Sequence, residues 1–161
     1  MQVKLAAALL AFATAGCNSQ PTPTSTAYDA KAMMTTHVQP TAEVYWNAVQ
    51  YISDASGEHK IEPRTDADWV RTQEAAANLR GFAEELKSPA ASAGRGTDWT
   101  DFAQGLADVS TQAEQAAKER NPDKVFHVGG SIYNVCSSCH EVYMPTPGGA
   151  GPAVIATSPA K

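Results

Sequence analysis

The chain lacks runs of positive charge. Lys and Arg together number 12 against 17 Asp and Glu, for a formal net charge of −5, and no lysines or arginines stand in a block. Phosphate backbones demand clustered cations, which argues against a nucleic-acid partner. An acidic surface suits a basic partner without naming one. Cysteine is scarce, with three in the whole chain. Long apolar runs are nearly absent. The one from Leu5 to Ala13 is too short for a permanent membrane span. No alternating strand pattern competes with the helical periodicities described below. No hydrolytic triad, paired-carboxylate site or phosphate-cradling glycine loop stands out either, so the chain reads as a non-enzyme.

What is present begins with the N-terminus. Lys4 precedes the apolar stretch, and small residues follow it, which is the pattern of an export signal over residues 1–16. Cys17 after Thr14, Ala15 and Gly16 resembles a bacterial lipoprotein cleavage box, with Thr14 standing where such boxes usually carry Leu. The expectation is lipidation at Cys17 and a periplasmic chain anchored to a membrane rather than spanning it. Asn18 is not the aspartate of enteric inner-membrane retention, which favours the outer membrane there. Residues 17–27 form a Pro/Ser/Thr-rich tether that stands the domain off its anchor.

Residues 28–144 read as one helical domain, and residues 145–161, rich in Pro, Gly and Ala, as a tail. The first helix is expected from Tyr28 to Ile52, with Met33, His37, Val44, Ala48 and Tyr51 along one stripe. Pro40 should kink or break it. Residues 53–63 read as a loop. A second helix begins near Thr65, whose relation to Asp68 approximates a capping box. It carries Trp69, Ala76, Leu79, Ala83 and Leu86, and the stretch from Ser88 to Gly96 ends it. A third spans Asp98 to Arg120. A fourth starts at Asn121 as cap, with Pro122 in its first turn. Val125, Val128, Ile132, Val135, Cys139 and Tyr143 line its apolar stripe, and Gly129 and Gly130 lie inside it. Four amphipathic helices with short links predict an all-α, antiparallel four-helix bundle.

The fourth helix carries the chemistry. Residues 136–140 read CSSCH, the signature of covalent c-type haem attachment. Two thiols at this spacing can add to the two vinyl groups of one haem, and the histidine that follows can ligate its iron. Thioredoxin-like redox chemistry uses the same cysteine spacing but wants a low-pKa thiolate at a helix N-terminus, whereas this motif lies late in a helix. A zinc site would need a further donor, and neither His37 nor His127 stands at a recognisable spacing. A disulfide is the remaining alternative for an exported pair. The expectation is one covalent haem c on Cys136, Cys139 and His140.

With that motif near the C-terminus, the chain resembles the class II c-type cytochromes, the cytochrome c-prime and cytochrome c556 group. The stretches that carry the resemblance are MMTTHVQPTAEVYWNAV, ANLRGFAEEL, DFAQGLADVSTQAEQAA and VGGSIYNVCSSCHEVYM, together covering roughly Tyr28 to Met144. The resemblance implies a four-helix bundle with haem on the last helix. The class often has Arg or Lys after a tyrosine that follows the histidine. Here Met144 and Pro145 follow Tyr143, so a basic contact to a haem propionate is missing from that spot.

Function then turns on the distal side of the iron. The resemblance implies an apolar residue of the first helix in the gas-binding branch and a methionine ligand in the electron-carrying branch. Met34 is the preferred sixth ligand, with Met33, His37 or an open site as alternatives. Arg64, Arg71 and Arg80 are candidate propionate partners, Tyr133 and Tyr143 candidate haem neighbours, and Trp46, Trp69 and Trp99 core residues. The leading expectation is a periplasmic single-electron carrier with redox protein partners. Its alternatives are a five-coordinate binder of nitric oxide or carbon monoxide, and an assembly subunit whose haem has lost its redox role. Class members form homodimers through their first two helices, an option the apolar stripes leave open.

Overall fold

A computed structural model describes residues 28–144. The export segment, Cys17, the tether and the tail from Pro145 lie outside the described residues. The first helix starts at Asp29, whose carboxylate accepts from the Ala32 amide at 2.9 Å. It is α-helical over Ala30–Met33 (α1), π-helical over Met34–Val38, and α-helical again over Gln39–Trp46 (α2). An antiparallel hairpin follows, β1 Gln50–Asp54 paired with β2 Gly57–Ile61. Then come α3 Asp66–Leu86, one turn α4 Pro89–Ser92, α5 Thr97–Lys118 and α6 Pro122–Tyr143.

The helices form a bundle-type architecture in which α3 lies along α5, α5 against α6, and α2 against α3. Its core takes Met33, Val38, Ala42 and Tyr45 from the first helix, and Ala76, Leu79, Ala83 and Leu86 from α3. Trp99, Leu106 and Ala113 of α5 and Val125 and Ile132 of α6 complete it. Each fully buried Leu or Ile contributes about 1.5–3 kcal/mol. The face of α5 that carries Asp101, Gln104, Asp108, Gln112 and Gln115 is exposed throughout. No helix among the described residues is long and apolar enough to cross a membrane.

Two helix starts follow from their caps. Thr65 and Asp68 form a reciprocal capping box at α3, with amide-to-side-chain distances of 3.0 and 3.1 Å. Asn121 accepts from the Lys124 amide at 3.0 Å, and Pro122 sits in the first turn of α6. Gly129 and Gly130 leave α6 unbroken.

The first helix departs from expectation. His37, Val44 and Tyr51 of the expected stripe are exposed, and the buried series is Met33, Val38, Ala42, Tyr45 and Val49. The π turn is the cause. In a regular α-helix the Pro40 ring would strike the carbonyl of Thr36. The helix widens just before it, so that the Gln39 amide donates to the Met34 carbonyl, five residues back. One residue is thereby inserted into the repeat, and Val38 takes the inward place that His37 would have held. The helix then continues through Pro40 to Trp46.

The all-α expectation and the 53–63 loop are corrected by the hairpin. Every residue from 51 to 61 is exposed, so the alternation that marks a half-buried strand is missing. Gly57, at φ +122°, closes the turn, and Asp54 accepts from the amide and hydroxyl of Ser56 at 2.8 and 2.6 Å. The hairpin is tied to α6 by Tyr51, whose ring meets Phe126 edge-on at 4.8 Å and whose hydroxyl donates to Asp123.

Candidate functional site

The CSSCH motif lies on the C-terminal half of α6. Cys136 and Cys139 are three residues apart and His140 is four from Cys136, so helical geometry brings all three to one face. That face meets a narrow apolar cleft of about 30 Å³, room for about two water molecules. Cys136, Cys139 and His140 line one side, and Met34 and Val38 of the π segment also line it. Leu86, Trp99, Phe102 and Leu106 supply the remaining apolar wall. The Trp99 indole N–H donates to the Leu86 carbonyl at 2.7 Å. This bond satisfies a carbonyl at the end of α3 and locks two walls of the cleft together.

Burial sets the chemistry of the thiols. Both cysteines are free and half-buried. Desolvation pushes the Cys136 thiol above its ordinary range, and burial with the neighbouring Cys136 pushes the Cys139 thiol up to about 11. A dithiol enzyme needs the opposite, a stabilised thiolate. Among the described residues no three His, Cys, Asp or Glu side chains gather where a metal ion could be held by them alone. The zinc alternative therefore has no donor set here.

The three distal candidates separate cleanly. Met34 faces the cleft. Met33, 6% exposed, belongs to the core and does not line the cleft. His37 is exposed, its ring lying 5.7 Å from that of Phe82. Among the aromatics, Trp99 is buried, while Trp46 and Trp69 are half-buried against the core. Tyr143 abuts the site, its ring edge-on to Trp99 at 5.0 Å. Tyr133 is exposed and lines a different cleft.

None of the expected arginines lines the cysteine cleft. Arg71 pairs with Asp68, Arg80 pairs with Glu114 at 3.4 Å, and Arg64 lines a groove beside α2. The cation that sits close by is Arg95, with its guanidinium carbon 4.5 Å from the centre of the Trp99 ring. Its one visible mark in the sequence is its place between Gly94 and Gly96 in a link between helices. Val38 and Leu86 were also missed as lining residues. Val38 is brought in by the π turn, and Leu86 read only as core.

A roomier apolar cleft, about 500 Å³, lies between the first helix, the hairpin and α6, lined by Trp46, Tyr51, Phe126 and Tyr133 among others. It holds no thiol, and its one histidine, His127, has no ligating companion there. The chemistry-bearing residues are in the smaller cleft. No protein-family profile, no curated protein and no solved structure matches this chain.

Proposed function

We propose that this protein is a monohaem c-type cytochrome of the class II kind: an antiparallel four-helix bundle with its haem on the last helix, carrying single electrons in the periplasm. The observation that supports the reading is the convergence of Met34, Cys136, Cys139 and His140 on one apolar cleft. Two free thiols kept protonated by burial, a histidine on the same helical face and an apolar wall opposite form a donor set that fits a porphyrin held by two thioethers.

Cys136 and Cys139 would hold the group, His140 would ligate its iron from α6, and Met34 would ligate it from the first helix. When bound, haem supplies reversible one-electron exchange at iron. The chain's own residues do the rest. Leu86, Phe102 and Leu106 exclude water, which strengthens every charge effect at the site. A thioether from Met34 favours reduced iron more than an imidazole from His37 would, so the potential is higher than that of a bis-histidine haem.

The cleft is much smaller than a porphyrin, and the seam that would widen is lightly packed. The first helix touches α6 far less than α5 does. It is pinned to α6 at its far end, where the Trp46 indole donates to the Gly129 carbonyl at 2.9 Å. Hinging about that end would open the seam at Met34 and draw the neighbouring core residues Met33 and Val38 outward with it. Exposed Val44 and Val70 lie on the first helix and α3, the elements that the resemblance assigns to a homodimer.

The test is covalent haem on denaturing gels, using the full chain produced with c-type attachment machinery. The wild type should retain haem-dependent peroxidase stain after boiling. Cys136→Ala with Cys139→Ala should lose it while the chain still accumulates. Stain retained by the double variant would overturn the reading. A wild-type haem that takes up carbon monoxide would transfer the assignment to the gas-binding alternative.

A further inference from the structure

We propose that Arg95 is the carboxylate-binding cation of the haem site. The inference rests on the haem reading above. Arg95 lies in the link between α4 and α5, beside the C-terminal end of α6 and next to Trp99, one wall of the cleft. Gly94 at φ +73° and Gly96 at φ +80° take backbone conformations that few other residues tolerate, and so turn the chain tightly on either side of it. The Tyr143 hydroxyl donates to the Arg95 carbonyl at 2.8 Å. Residue 95 is thereby tied to the helix turn that follows His140. The guanidinium covers the ring of Trp99, which itself walls the cleft.

What marks this arginine out is an unmet bond. Its Nε is buried and has no hydrogen-bond partner among the described residues. A buried N–H of a charged group left unsatisfied is destabilising, so this group calls for a partner beyond those the described residues supply. The cations of α3 and of its C-cap are engaged in ion pairs: Arg80 with Glu114, and Lys87 with Glu84 at 2.8 Å. Lys31, three residues before Met34 on the first helix, is exposed and serves as the comparison. A planar fork of donors beside the cleft suits the paired carboxylates of a porphyrin edge.

A cation there has two electrical consequences. It favours the iron state with less positive charge, which raises the reduction potential. It also holds the porphyrin carboxylates ionised to lower pH, which keeps the potential flat over a wider range. The test is the midpoint potential of the full-length holoprotein across pH, by spectroelectrochemistry, alongside thermal unfolding.

Arg95→Gln should have a lower potential than wild type, and its pH dependence should begin at higher pH. Arg95→Lys should fall between the two, and Lys31→Gln should match wild type. An Arg95→Gln protein with the wild-type potential and pH profile, changed only in thermal stability, would show that Arg95 merely packs on Trp99. A shift produced by Lys31→Gln instead would also overturn the assignment. If Arg95→Gln does not fold, Arg95→Lys decides, and a profile identical to wild type rejects the proposal. A wild-type chain that acquires no covalent haem overturns this inference and the reading beneath it. Loaded wild type with an unresponsive Arg95→Gln overturns this inference alone.

Discussion

Met33 and Met34 carry the same side chain on adjacent residues and occupy different environments, one in the core and one at the cleft. Met34→Ala should convert low-spin haem to high spin and open the iron to carbon monoxide, as read by absorption. Met33→Ala should leave the spectrum unchanged and cost about 2–4 kcal/mol of stability in urea. His37→Ala should do neither. An unchanged low-spin spectrum in Met34→Ala would move the ligand elsewhere.

The thiols make a separate prediction for the haem-free chain. Their folded pKa is raised, so the neutral form is favoured by folding. That contribution is whole below the ordinary thiol range and is lost as pH rises toward about 11 at Cys139. Urea stability of the apoprotein should therefore fall through that alkaline window, and Cys136→Ser with Cys139→Ser should flatten the fall. The CSSCH motif was legible in the sequence because two cysteines and a histidine at that spacing form a recognisable signature. Arg95 was not, because two positive-φ glycines and a tyrosine from another element position it.

At the level of elements, legibility followed how local the cause is. The starts of α3 and α6 are set by caps three residues long, and both could be read. The register of the first helix depends on how the chain relieves the clash at Pro40, and a repeat of three and four cannot encode an inserted residue. The hairpin went unread because strands exposed on nearly every residue carry no burial pattern.

The paired glycines of α6 allow a sharp test of how the first helix is pinned. A Cβ on Gly129 would lie 3.3 Å from Cδ1 of Trp46, a ring held by its bond to the Gly129 carbonyl. Nothing lies within 4 Å of a Cβ on Gly130. Gly129→Ala should therefore destabilise by about 1–3 kcal/mol through overpacking. Gly130→Ala should stabilise by about 0.5–1 kcal/mol through helix propensity. Chemical denaturation of the two variants checks the contrast. Equal effects would mean that Trp46 yields freely and does not pin the helix.

For the whole molecule, the account is a central pair of helices, α3 with α5, with the first helix packed on α3, α6 packed on α5, and the site at the light seam between those two. Hydrogen exchange should follow that division. Amides of α1 and the π segment should exchange faster in the apoprotein than in the holoprotein, with those at the centres of α3 and α5 nearly unchanged. Uniform protection on haem loading would argue against a hinging seam. The most direct test of the central claim is the absorption spectrum of the matured protein, oxidised and reduced, before and after carbon monoxide. The account predicts a low-spin c-type spectrum that the gas leaves unchanged. A protein matured with the attachment machinery and showing no haem band would contradict it.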